Sequence, residues 1–325
     1  MLLRSQPDPV VLPSPPQRSP FIDVLARLRP DVSMLLLCSL VLLIVGQLYG
    51  AHYILRLSTV LLPGLVAPGI ILLHALRGLR RAALARVARE TLRDWMPLVM
   101  VAIVFDNLEN YTGLVRKTTI DATLLAIDRA LFTIEPTVWI QRFYHPLLTD
   151  WLAACYGIFL ITPMTLAIAL SLRGRRDDFC ELANAVILQM WIAFFIFICL
   201  PAGPPRYFPE LRAGPFRAPL PSLLGLNDRL QATWDTYSPL LVRASFPSLH
   251  CAYATLTLMF GWRFGDALLP RRRFFWIVLP LQISLLVSTI YLRHHWIPDC
   301  IAGISLGVLA SLLARRLRRL WPRPA

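Results

Sequence analysis

The chain has 325 residues, 56% of them hydrophobic and 16% charged, with a net charge of +14 and a mean hydropathy of +0.58. A soluble globular domain carries about a quarter charged residues, so an ordinary water-soluble globule is excluded. The Lys and Arg residues, all arginine except Lys117, gather in short loops between apolar runs, a placement that fits membrane topology and not a nucleic-acid partner.

In chain order, residues 1–30 are rich in proline and polar groups and read as a flexible tail without the apolar core of a signal peptide. Eight apolar runs then approach the roughly 20 residues that cross a bilayer: 32–50, 56–76, 95–112, 149–171, 181–202, 247–264, 274–293 and 297–314. The third ends in "FDNLENY", which loads it with polar groups. The expected organisation is a tail (1–30), N-terminal transmembrane helices (31–115), a second transmembrane domain (116–315) and a basic tail (316–325). The fold class is all-α, a polytopic helical membrane protein with about eight transmembrane helices. The cysteines Cys38, Cys155, Cys180, Cys199, Cys251 and Cys300 lie in or beside apolar runs and form no CxxC. They read as small buried hydrophobes, not as disulfide partners or zinc ligands.

The arginines set an orientation. With the N-terminus in the cytoplasm, 22 of the 33 Lys and Arg residues fall in inside segments, as the positive-inside rule requires. Both termini are then cytoplasmic, and the loop 203–246 shares the outer face with "STIYLRHHWIPDCIAG" (288–303). That face would be periplasmic for a protein of a bacterial inner membrane and lumenal in a eukaryote. The loop carries Arg206, Arg212, Arg217, Arg229 and Arg243 on the side that disfavours them. Anion binding accounts for such a placement; contact with lipid headgroups is the plainer reading for some of them.

Three short stretches could carry chemistry. In "SFPSLHCAYATLTLMF", Pro247 and Ser248 stand where a helix should start, so the first free N–H groups form an anion site suited to phosphate. His250 falls in that first turn, placed to give a proton to a leaving oxygen. Taken alone, it reads more plainly as an interfacial histidine. In "RHHWIPD", His295 and Asp299 stand four residues apart and share a helix face. A carboxylate on one imidazole nitrogen fixes the tautomer and makes the other a better nucleophile. Pro298 belongs in a first helical turn, so this pair straddles a helix start. His294 points about 100° away and reads as an interfacial or headgroup-facing histidine. In "CLPAGPPRYF", prolines stiffen a turn that aims Arg206, and a guanidinium grips phosphate through paired donors. Together these residues suit phosphoryl transfer through a phosphohistidine. His295 attacks phosphorus, His250 protonates the departing alkoxide, Asp299 steadies the His295 imidazolium, and Arg206 holds phosphate with Arg293 or Arg243.

These stretches resemble the type 2 phosphatidic acid phosphatase (PAP2) superfamily, and within it the inositol phosphorylceramide synthase-like branch with bacterial relatives. "PSLH" (247–250) stands for the second motif, PSGH, "STIYLRHHWIPD" (288–299) for the third, SRxxxxxHxxxD, and "AGPPRY" (202–207) for the branch's proline turn. The resemblance covers about 120–310. It implies a six-helix core, His250, His295 and Asp299 as catalytic residues, Arg206 and Ser248 as phosphate contacts, and no metal or other cofactor. It implies a phospholipid donor and a lipid-alcohol acceptor such as ceramide, with inositol phosphate as the moving group. A lipid phosphate phosphatase with the same residues is the alternative. The sequence departs from the pattern in three places. Thr289 stands at the third-motif arginine, Leu249 replaces the glycine of the second motif, and Arg206 alone represents the first motif, KxxxxxxRP.

Two other readings compete. Asp106, Asn107, Glu109 and Asn110 are the kind of polar cluster a transporter uses, although no inverted repeat accompanies them; a helix end at the interface is the plainer reading. His294, His295 and Asp299 could be metal ligands, but adjacent histidines diverge where a metal site demands convergence.

Overall fold

The computed structural model describes residues 29–50, 69, 81–108, 111–216, 220–237 and 243–320. The expected span at 56–76 (residue 69 apart), most of the 1–30 tail, residues 321–325, Glu109 and Asn110 lie outside the described residues.

The described residues form helices and no β-ladder beyond one bridge, Ala202 to Ala244. The helices are α1 (Pro30–Tyr49), α2 (Arg81–Asn107), α3 (Asp121–Phe132), α4 (Pro146–Gly157), α5 (Ile161–Leu172), α6 (Arg176–Cys199), α7 (Leu226–Tyr237), α8 (Leu249–Phe264), α9 (Arg273–Tyr291) and α10 (Ile297–Leu317), with short one-turn pieces between them. Four of these, α1, α6, α9 and α10, are long and apolar enough to cross a membrane. The pair α4 and α5, bent by 40° at a short break, makes a fifth if counted as one span. This is a helical membrane protein. The runs expected at 32–50, 149–171, 181–202, 247–264, 274–293 and 297–314 correspond to α1, α4 with α5, α6, α8, α9 and α10.

The run at 95–112 differs. Its helix, α2, begins at Arg81 inside the stretch expected as a basic loop. Ala, Leu, Arg and Glu in "RAALARVARETLR" are strong helix formers. The helix is also tied down at Asp94, whose carboxylate binds Arg29 (2.7 Å), Arg176 (2.7 and 2.9 Å) and Arg93 (3.3 Å). At the same end of the bundle the buried Glu181 holds Arg263 (2.5 Å) and Arg318 (3.1 Å), while Arg175 joins Asp178 and Asp266 (2.8 Å each).

Helix α10 is central. It packs on α8 and α6, while α9 packs on α8 and α4. The close approach of α8 and α10 depends on two glycines one turn apart. A Cβ at Gly307 would stand 2.6 Å from the Ala252 carbonyl oxygen and 2.9 Å from Thr255 Cβ. One at Gly303 would stand 3.0 Å from Cys251 Cβ and would meet the Ser248 carbonyl oxygen. This is the small-residue spacing by which membrane helices bring their backbones together.

The ends of the long loop 203–246 are fixed as well. Ala202 N–H donates to Arg243 O (3.0 Å) and Ser245 N–H to Ala202 O (2.9 Å). Trp296 Nε1 donates to Gly203 O (2.9 Å), and Gly203 N–H to Asp121 Oδ1 (2.6 Å). Trp296 packs with Leu124, Ala202, Leu211 and Phe216 in a small core above the bundle.

Candidate active site

The site lies where α8 and α10 begin. Ser248 is the N-cap of α8, its Oγ accepting from Cys251 N–H (3.3 Å), so the helix starts where the sequence places it. Helix α10 starts at Ile297 with Pro298 in its first turn, and Asp299 Oδ2 accepts the Trp296 N–H (3.2 Å). Ser248 N–H donates to Asp299 O (3.0 Å), which joins the two helix starts.

His295 and Asp299 meet across the start of α10, as the spacing and Pro298 imply. His295 Nδ1 is 3.3 Å from Asp299 Oδ2. Ser245, which the sequence reading left without a role, completes the pair. Its hydroxyl donates to Asp299 Oδ2 (2.6 Å) and lies 3.1 Å from His295 Nδ1. Two oxygens on Nδ1 place its proton there and leave the Nε2 lone pair available. The backbone of both histidines is fixed by one acceptor, Thr289 O, which takes the N–H groups of His294 and His295 (3.0 Å each).

His250 faces this pair, its ring centroid 5.6 Å from that of His295. It is held by aromatic rings that the sequence reading did not single out. Tyr156 stacks on it at 4.0 Å, with the phenol oxygen 3.2 Å from Nδ1, and Phe159 packs at 4.3 Å. Tyr156 lies in the last turn of α4 and Phe159 in the turn that follows it, 94 and 91 residues before His250, so no local sequence signal marks them.

His294 corrects the expectation of an interfacial or headgroup-facing histidine. It is buried, and its ring stacks on the other face of Tyr156 at 4.6 Å. Burial, with Arg206 and the neighbouring imidazoles adding to it, holds His294 well below the usual histidine range, so it is neutral at pH 7. With His294 turned to Tyr156 and His295 to Asp299, the two side chains serve different partners. Among the described residues, no group of three or more His, Cys, Asp or Glu is arranged to hold a metal ion.

The arginines divide. Arg206 lies in the turn Pro205–Tyr207 with its guanidinium over the Tyr207 ring (4.5 Å) and Nη2 bonded to Tyr207 Oη (2.7 Å). Its charge bears on Tyr156 and His294, and its N–H donates to Arg293 O (3.2 Å). Arg293 adopts a left-handed backbone (φ 64°) and directs its guanidinium to Gln141 Oε1 (3.1 Å from Nη2) and over Phe216 (4.4 Å). Arg243 reaches the 113–117 turn, where Nη1 donates to Lys117 O (3.3 Å) beside Gly113. The structure therefore brings together His250, His295, Asp299 and Ser248, sets Arg206 at their edge, and directs Arg293 and Arg243 to other partners. Thr289, at the position of the third-motif arginine, is buried and bonds Leu286 O (2.7 Å) and Cys300 Sγ (3.2 Å). The six cysteines are free. Of the polar cluster at the end of α2, Asn107 is buried and donates back to Ile103 O (2.9 Å).

A helical membrane protein with two imidazoles and a carboxylate at paired helix starts has the parts for phosphoryl transfer. The chain belongs to the PAP2 superfamily, whose family model matches residues 122–313, more than half of its length. Membership points to phosphatase or phosphotransferase activity. No curated protein and no solved structure matches the chain.

Proposed function

We propose that the protein is a membrane lipid phosphotransferase that works through a phosphohistidine on His295. The observation that carries this reading is the Nδ1 side of His295, held by Asp299 Oδ2 and Ser245 Oγ, so that Nε2 is the nucleophile. In the first half-reaction, Nε2 bonds to phosphorus as the bond from phosphorus to the leaving alkoxide breaks, and His250 gives that oxygen a proton. Asp299 balances the positive charge on the His295 ring. In the second, an acceptor hydroxyl gives its proton to His250 and attacks phosphorus, and the phosphorus–nitrogen bond breaks. Arg206 and the N–H groups at the start of α8 hold the phosphate oxygens.

We read the donor as a phospholipid whose phosphoryl headgroup, with inositol phosphate as the first case, passes to a lipid hydroxyl such as ceramide. The burial of His250, His295 and Asp299 beside Tyr156 and Phe159 favours a lipid hydroxyl over bulk water as acceptor. The reading includes eight spans with a six-helix core, cytoplasmic termini and an outward-facing site, supported by the two-to-one arginine bias.

The test is product analysis of the purified chain in mixed micelles with phosphatidylinositol, fluorescent ceramide and phosphatidic acid. Inositol phosphorylceramide made by the wild type and not by His295→Ala supports the transferase. Free phosphate and diacylglycerol in its place would make the protein a phosphatase. Turnover in His295→Ala would overturn the phosphohistidine. His250→Ala should slow turnover by about 10²–10⁴-fold.

A further inference from the structure

At the end of the bundle opposite the histidines, the turn between α8 and α9 borders an open cavity of about 450 Å³ lined by Trp262, Arg263, Phe264, Asp266, Arg271 and Arg272. Arg263 follows His250 by 13 residues on α8, so the two sites are about 20 Å apart along the helix. We propose that this cavity binds the phosphate-bearing headgroup of an anionic phospholipid.

The charges in the lining are unevenly committed. Asp266 binds Arg175 (2.8 Å), and Arg263 binds Glu181 (2.5 Å) while packing over Phe264 (4.6 Å). Arg271 and Arg272 have no carboxylate partner among the described residues, and both are exposed. Arg272 is nevertheless placed. Its guanidinium lies 3.8 Å from the Trp262 ring centroid, a stacked arrangement that leaves the N–H edge free for an anion. Adjacent arginines in left-handed conformation (φ 54° and 56°) lead the chain into α9. The lining thus keeps two guanidinium groups for a ligand and neutralises the rest. A phosphate mono- or diester is the anion that paired guanidinium donors suit.

The surroundings select a lipid as the source. Trp262, Phe275 and Trp276 pack edge to face with centroids 5.0 to 6.4 Å apart and form a ridge beside the cavity. Aromatic residues of this kind sit at the headgroup level of a bilayer. From Trp276 the exposed residues Pro280, Ile283 and Val287 continue along one face of α9, the spacing of a helical stripe. Acyl chains lie along that stripe while the headgroup occupies the cavity.

The test is native mass spectrometry of the full chain in neutral detergent with equal amounts of phosphatidylglycerol and phosphatidylcholine of identical acyl chains. Wild type should retain phosphatidylglycerol with about a tenfold preference, the scale of one or two arginine–headgroup attractions. Arg271→Gln/Arg272→Gln should lose that preference. Trp262→Leu, which keeps both charges but removes the ring that places Arg272, should lose part of it. Arg315→Gln/Arg316→Gln, with two exposed arginines removed from the same end of the bundle, should keep it. Equal retention of the two lipids by wild type would overturn the proposal. So would equal losses in the two double variants, since diffuse charge would then explain the binding. Displacement of phosphatidylglycerol by equimolar inorganic phosphate would remove the lipid as the source.

Discussion

Replacing Gly303 by alanine separates two physical effects of opposite sign. In a helix interior, glycine to alanine stabilises by about 0.8–1.0 kcal/mol through backbone entropy. Here the new Cβ would stand 3.0 Å from both Cys251 Cβ and the Ser248 carbonyl carbon, and would overlap the Ser248 oxygen. Carbon atoms prefer about 3.5–4.0 Å, so α8 and α10 must part by roughly 0.5–1 Å. Overpacking of this kind costs about 1–3 kcal/mol, which exceeds the entropic gain. The strain falls on Ser248, whose N–H bonds Asp299 O and whose helix carries His250. A displacement of about 1 Å between reacting groups costs up to about 100-fold in rate. Thermal unfolding in micelles, followed by tryptophan fluorescence, should show a Tm lowered by several degrees, and turnover should fall more steeply than stability. Gly157→Ala is the control, because nothing lies within 4 Å of its Cβ position. A Gly303→Ala protein with wild-type Tm and wild-type turnover would refute the claim that helix contact sets the spacing of the histidines.

Ser245→Ala should lower kcat by about 10–100-fold with KM little changed, since a buried hydrogen bond to a carboxylate is worth about 1.5–3 kcal/mol; steady-state kinetics reads the split. Arg206→Lys should raise KM by about tenfold through loss of paired donors. Asp128, buried on α3 beside Asp299, is pushed up to about 7 by burial, with the Ile297 N–H pulling the other way. Its folded value exceeds the unfolded value of about 3.9, so the native state holds a proton that the unfolded chain has released. Stability then falls as pH rises between those values. Asp128→Asn should melt with wild type near pH 4 and above it near pH 8, which melting curves across that range would check.

What could be read from the sequence was whatever depends on local spacing. The His295–Asp299 pair, the Ser248 helix start and the role of Pro298 follow from separations of a few residues and the chemistry of helix ends. Tyr156 lies 94 residues from His250, and Ser245 lies 50 from His295; no local pattern announces those contacts. His294 shows the same limit. A helical-wheel angle separates it from His295, but only the packing of α4 shows that the diverging direction leads to a buried ring and not to the interface. The start of α2 shows the converse. Arginine there signalled a loop, yet the ion pairs of Asp94 with Arg29 and Arg176 hold the stretch as a helix.

The arrangement also answers how a buried polar cluster persists in an apolar bundle. Ionisable groups within a membrane are costly, and this site places them where backbone charge offsets that cost. Helices α8 and α10 both begin here, linked by the bond from Ser248 N–H to Asp299 O. Each helix start carries about half a positive charge. Asp299 occupies the first turn of α10, where its Oδ2 accepts the Trp296 N–H. The start of α8, with His250 in its first turn, offers its positive end to the phosphate of the proposed reaction. On the proposed mechanism, one helix start would support the carboxylate beside His295 and the other the phosphate of the substrate. That division of labour requires the two starts to be neighbours, and the Gly303 and Gly307 contacts with α8 make them so.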